Sequence, residues 1–282
     1  MPLHQEESQL VGAGGLALFG KQWWKDAHPR RGAIALVHGF GEHCDRYGYL
    51  VDAVTDRGYA VFSMDLRGHG RSPGKRGHVD RFDDFLVDVK ALVTHARQVA
   101  GNVPLFLFGH SMGGLIVLSY AIRYPEGIKG VIASSPYLKQ ANVSPLLLAV
   151  ARLMARVKPD FITDSRLDVE SISRDPNEVK RYADDPLVHS LASAKLAMEM
   201  ERAIRWTHEH AAALRVPVLV YHGAGDRLVP IEGSRAFIQN VTLTDKQWVE
   251  FPAGYHELHN DLDRSAVFST LLAWLDSHSD KP

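Results

Sequence analysis

The chain has 282 residues, 45% of them hydrophobic, enough for the large core of one α/β domain carrying an insertion. Its 32 Lys and Arg against 33 Asp and Glu leave a net charge of −1 with no basic surplus, which excludes a typical nucleic-acid binder. The single cysteine, Cys44, rules out an intrachain disulfide and points to a reducing compartment, where it reads as a small buried filler near the site described below.

From the N-terminus, residues 1–8 (MPLHQEES) lack the basic start and apolar core of a signal peptide. No apolar run approaches the roughly 18 residues of a membrane span, so the expected location is cytoplasmic. A first strand is expected at 16–22, next to Trp23-Trp24, whose rings read as packing. A second, at 33–37, runs into His38-Gly39-Phe40-Gly41-Glu42-His43. The glycines let this loop fold close to a substrate. The Phe40 N–H is a candidate oxyanion donor, with His38 and Glu42 pinning the loop. A helix at 47–57 and a strand at 60–64 follow, then Gly70-Arg71-Ser72-Pro73-Gly74, which fits G-x-S-x-G. Pro73 lacks the N–H that the residue after a nucleophile must donate, so Ser72 is a decoy.

After a helix at 82–99, in which Phe82 and Phe85 read as packing, an apolar strand at 105–108 leads to Gly109-His110-Ser111-Met112-Gly113 and a helix at 112–124. Strand, G-x-S-x-G turn and helix are the layout of a nucleophile elbow, with Ser111 as nucleophile and the Met112 N–H as the other oxyanion donor. A strand at 130–133 precedes the long stretch from Pro136 to Val216. That stretch far exceeds a βαβ crossover and so holds an insertion. The expected division is a core of 1–136 and 213–282 with a helical cap at 137–212, inserted after the sixth strand. Helical patterns fall at 145–157, 176–183 and 187–210. The first is apolar nearly all round. It either packs on the core or, through Leu147 and Leu148, lines an acyl entrance and makes transient contact with a lipid surface. His208-Glu209-His210 is rejected as a metal site, because positions two apart point to different sides of a helix. Gly68-His69-Gly70 lacks the ending and spacing of a phosphate cradle.

The strand at 218–221 is followed by Asp226, and the strand at 247–251 by the loop Pro252-Ala253-Gly254-Tyr255-His256. Helices are expected at 233–240 and 265–277. Alternating strands and helices predict a mainly parallel central sheet flanked by helices. Open sheets of this kind gather functional residues past their strand ends. A serine hydroxyl needs a base and an orienting carboxylate, and elbow scaffolds supply these in the order serine, acid, histidine. That order selects Ser111, Asp226 and His256. His259 is the rival base.

His38-Gly39-Phe40-Gly41-Glu42-His43 with Arg46-Tyr47, Asp65-Leu66-Arg67-Gly68-His69-Gly70-Arg71-Ser72, Gly109 to Gly114, Asp184-Asp185-Pro186-Leu187 and Tyr255-His256-Glu257-Leu258-His259 together resemble the monoacylglycerol lipases of the α/β-hydrolase superfamily and their lysophospholipase-like relatives. The likeness runs from about Leu10 to Ser277. It departs from the family at Phe40, where a small residue is common, and most in the cap. The resemblance implies the α/β-hydrolase fold and a Ser111–His256–Asp226 triad, without metal or cofactor, that cleaves a lipid ester to fatty acid and glycerol. Lysophospholipase, broad carboxylesterase and aminopeptidase activities would use the same triad. Carbon–carbon bond hydrolase and haloperoxidase-like chemistries are likewise separated by substrate. A ligand receptor on this fold would typically have lost a triad member, and a dehalogenase would carry an aspartate at the elbow.

Overall fold

The computed structural model describes residues 1–26, 30–140, 154, 157–165 and 167–279. Eight strands form one sheet: β1 (His4–Val11), β2 (Ala17–Trp24), β3 (Gly32–Val37), β4 (Tyr59–Met64), β5 (Leu105–His110), β6 (Gly130–Ser134), β9 (Val218–Gly223) and β10 (Lys246–Phe251). Their order is β1-β2-β4-β3-β5-β6-β9-β10. The pairings from β4 to β10 are parallel, whereas β1 and β2 add an antiparallel edge. The fold is thus the expected mainly parallel α/β-hydrolase sheet. Strand β1 is an addition to the expected elements. Its sequence, HQEESQLV, buries only Leu10, so it carries no apolar alternation, and charged side chains line an outer edge that would otherwise invite pairing.

The central strands are buried on both faces, and their residues alternate between two cores. Ala33, Ala35, Val37, Leu105 and Leu107 join the core under α2 (Phe82–Ala100) and α3 (Met112–Arg123). Ile34, Leu36, Phe106 and Phe108 join the core under α1 (Gly48–Thr55) and, after the insertion, α7 (Arg264–Ser279).

Among the described residues the insertion contributes a small antiparallel pair, β7 (Ile162–Asp164) with β8 (Leu191–Ser193), and two helices, α4 (Pro176–Asp184) and α5 (Ala194–Glu209). Helix α4 starts where expected, with Asp175 capping the Asn177 N–H and Pro176 in the first turn. The helix expected from 187 begins only at Ala194. Residues 191–193 pair with β7 instead, and Ser193 then caps the Leu196 N–H. Leu147, Leu148 and nearly all of 145–157 lie outside the described residues. Helix α6 (Ile231–Asn240) completes the core between β9 and β10.

Candidate active site

Four loops meet at the C-terminal edge of the sheet, following β3, β5, β9 and β10. The loop after β5 turns at Ser111, whose φ of 52° and ψ of −117° are strained for a residue with a side chain. Two glycines make that turn feasible. A Cβ on Gly109 would run into the Gly113 carbonyl oxygen, and one on Gly113 into that of Val37. Helix α3 starts at the next residue. The Ser111 carbonyl accepts from the Leu115 and Tyr137 N–H groups at 3.1 and 2.9 Å, which holds the elbow from both sides.

Past β9, the Asp226 side chain is fully buried and all its acceptor positions are filled. Oδ1 accepts from the Leu228 and Val229 N–H groups at 2.8 and 2.9 Å, and Oδ2 lies 2.6 Å from His256 Nδ1 and 3.0 Å from His222 Nε2. Burial alone would raise its pKa. The His256 charge and the hydrogen bonds from both imidazoles outweigh that and hold the carboxyl far below its usual range. His256 shows the reverse balance: burial opposes its cation, but Asp226 raises its pKa above 6.5.

His259 is built differently. It is fully buried on the turn Leu258–Asn260, stacked on Tyr47 with centroids 4.5 Å apart, and burial lowers its pKa to about 4. Neither ring nitrogen has a partner among the described residues, and Asp226 pairs with His256 instead. Ser72 is structural in its contacts. Its hydroxyl donates to the Asp65 carbonyl at 2.5 Å and accepts the Phe19 N–H at 2.9 Å, tying β2 to the loop after β4.

The loop after β3 is pinned by the two residues expected to pin it. His38 Nε2 accepts the Leu66 N–H at 2.8 Å, so Nδ1 donates to the Gly39 carbonyl at 2.7 Å, and burial holds this imidazole neutral with a pKa of about 4. Glu42 Oε1 accepts from the Gly39 N–H at 2.6 Å and the Tyr47 hydroxyl at 2.7 Å. The ring of Phe40 stands edge-on to His69 and His189, at 5.8 and 5.7 Å, which gives a large side chain a slot where the family commonly has a small one. Among the described residues the Phe40 and Met112 N–H groups donate to no protein acceptor. Cys44 is buried away from this cavity, and burial raises its thiol pKa well above the usual value.

Ser111, His256, Phe40 and Met112 all line one cavity of about 280 Å³. His256 bonds to Asp226 through Nδ1, and among the described residues no hydrogen bond links its ring to Ser111 Oγ. The insertion supplies the far wall with Leu167, Ile172, Ala197 and Met200. Sequence reasoning missed these cap residues and His222. The i, i+3 spacing of Ala197 and Met200 on one helix was their available signal. Among the described residues no three His, Cys, Asp or Glu side chains gather as a metal site, and His208 Nε2 bonds to the Leu138 carbonyl. No helix among them is long and apolar enough to cross a membrane.

Residues 28–263 match the Hydrolase_4 family, described as serine aminopeptidase, S33. The chain is 36% identical over 279 residues to a monoacylglycerol lipase of Mycolicibacterium smegmatis, spanning 97% of this chain and 98% of that protein. It superposes on the monoacylglycerol lipase of Paleococcus ferrophilus with a TM-score of 0.83 at 34% identity, covering 99% of this chain and 100% of that one. With a soluble variant of the Saccharomyces cerevisiae monoglyceride lipase, solved in complex with a substrate analog, the TM-score is 0.86 at 26% identity, covering 98% and 96%. An elbow serine, a fully bonded aspartate beside a histidine, and likeness along nearly the whole chain converge, and the protein belongs to the Hydrolase_4 family of α/β-hydrolase-fold serine hydrolases.

Proposed function

We propose that the protein hydrolyses monoacylglycerols to fatty acid and glycerol through an acyl-enzyme on Ser111. The observation that carries this is one cavity lined both by Ser111 and the Asp226-bonded His256 and by the apolar Leu167, Ile172 and Met200. These apolar side chains suit a hydrocarbon chain. The named lipases of similar sequence and structure support the same substrate class.

In this mechanism Ser111 Oγ attacks the ester carbonyl carbon as His256 Nε2 takes its proton. Asp226 holds the His256 Nδ1–H and stabilises the imidazolium. The N–H groups of Phe40 and Met112 receive the oxyanion, the latter at the positive end of α3. Collapse of the intermediate breaks the bond to glycerol oxygen, which leaves with the proton from His256. Water then attacks the acyl-Ser111 ester, giving its proton to His256, and the fatty acid departs as that proton returns to Ser111. Residues 137–212 act as the cap over a core of 1–136 and 213–282. From its apolar composition alone, the run 145–157 with Leu147 and Leu148 is assigned to acyl-chain and lipid binding. A lone cysteine fits a cytoplasmic setting.

The test is a comparison of kcat/KM across p-nitrophenyl esters of rising chain length, 1- and 2-monoacylglycerols, lysophospholipids, triacylglycerols and aminoacyl anilides, with Ser111→Ala as control. Monoacylglycerols are expected to lead. Faster turnover of lysophospholipids or anilides would overturn the substrate assignment.

A further inference from the structure

His222 is the penultimate residue of β9, and its side chain is fully buried. Its Nε2 lies 3.0 Å from Asp226 Oδ2 and 3.1 Å from the Val229 carbonyl oxygen. Neither of those atoms donates, so Nε2 carries the proton. Nδ1 then accepts from the Ser234 hydroxyl at 2.8 Å, and Ser234 is itself fully buried on α6. The two acceptors at Nε2 therefore set the tautomer of His222, Ser234 satisfies its Nδ1, and His222 presents its N–H to Asp226.

The oxygen that His222 reaches is the one that holds His256. Oδ2 takes both imidazole donors, while Oδ1 takes the two backbone N–H groups. We propose that His222 is a positioning residue for the hydrolytic reaction: it fixes the Asp226 carboxylate in the rotamer that meets His256 and draws charge from the shared oxygen, tempering the basicity of His256. The inference rests on the assignment of Ser111, His256 and Asp226 as the catalytic unit.

A second donor on Oδ2 stabilises the carboxylate and weakens its hold on the His256 proton. Without it, Oδ2 binds the imidazolium more strongly, and His256 stays protonated to a higher pH. The remaining titratable neighbours of His256 are His110, with ring centroid 4.7 Å away, His259, Glu257 and Glu42. From β10, Glu250 faces His222 but is held by Arg235 at 2.7 and 2.9 Å. None of these changes in the variants below.

The experiment measures kcat, KM and the pH profile of kcat/KM on a soluble short-chain ester, with a thermal melt, for the wild type, His222→Leu, His222→Gln and Ser234→Ala. In His222→Leu, kcat is expected to fall by roughly ten- to a hundredfold with KM little changed, and the acid limb to move to higher pH. His222→Gln keeps an N–H for Asp226, so it should recover most of kcat and return the limb toward its wild-type position. Ser234→Ala should shift the limb in the same direction by less. A lowered melting temperature with an unmoved limb and unchanged kcat in the folded His222→Leu protein would overturn the proposal. If that variant does not fold, an unmoved limb in Ser234→Ala overturns it. Failure of the catalytic unit itself looks different: Ser111→Ala would keep its turnover, whatever the His222 variants do.

Discussion

Arg46 Nη2 lies 2.6 Å from Glu257 Oε2, and the two side chains, 5% and 3% exposed, form an ion pair directly beside His256. Asn260 donates to the same oxygen at 2.8 Å, and Arg46 holds the Glu257 carboxyl below its usual range against the cost of burial. Arg46→Ala strands a buried carboxylate, so it should lower stability by about 3–5 kcal/mol in denaturant unfolding. Arg46→Lys keeps the charge without the planar fork and should lose less. An Arg46→Ala protein as stable as the wild type would show the pair to be idle.

Glu42 should behave as a buried acid that holds its proton. Burial and nearby Glu257 raise its pKa to about 7, with Arg46 opposing. Between the ordinary carboxylate value and about 7, the folded state therefore keeps a proton that the unfolded chain has released, so stability falls as pH rises through that window. Glu42→Gln should flatten this slope while Gln Oε1 still accepts from Gly39 and Tyr47. Glu42→Ala leaves both donors unpaired and should cost about 1–3 kcal/mol. Melting curves from pH 5 to 8 compare the three proteins.

Ser111→Ala should reduce kcat on the order of 10⁶-fold with the fold intact, as for triad serines elsewhere. Ser72→Ala should remain active, since the Ser72 hydroxyl bonds to the Asp65 carbonyl and the Phe19 N–H and to no residue of the site. A fluorophosphonate probe that labels Ser72, or labels Ser111→Ala at full strength, would reverse the assignment.

The base is active when neutral, and Asp226 raises the pKa of His256, so kcat/KM should rise with pH through a midpoint above 6.5. Asp226→Asn removes the charge that raises it. The midpoint should move down and kcat should fall by about 10⁴, through loss of tautomer control. His259→Ala should leave the pH profile in place, because His259 does not touch Asp226, whereas His256→Ala should abolish activity. Equal loss in the two histidine variants would contradict the geometry.

Met200 tests the acyl wall. It is buried on α5 and lines the cavity, so Met200→Asn should depress long-chain monoacylglycerol turnover more than that of a short soluble ester. Parallel loss of both, with a lower melting temperature, would make Met200 a packing residue only.

Much of the site is local in the sequence. The elbow around Ser111 is a strand, two glycines and a helix in continuous chain, Asp226 follows a short apolar strand and His256 a short alternating one. Backbone stiffness and apolar period act over a few residues, which is why these positions and the parallel sheet are legible without coordinates. Strand β1 is not, because an edge strand with one buried residue has no apolar rhythm. The slot for Phe40 between His69 and His189, and His222 as a second imidazole partner of Asp226, were decided only by tertiary structure. Each depends on which polar groups meet after sheet and cap close, across separations such as the 30 residues between Asp226 and His256. Burial then makes every unpaired polar atom costly, so the partners on offer in the closed fold determine which histidine carries charge and which stays neutral.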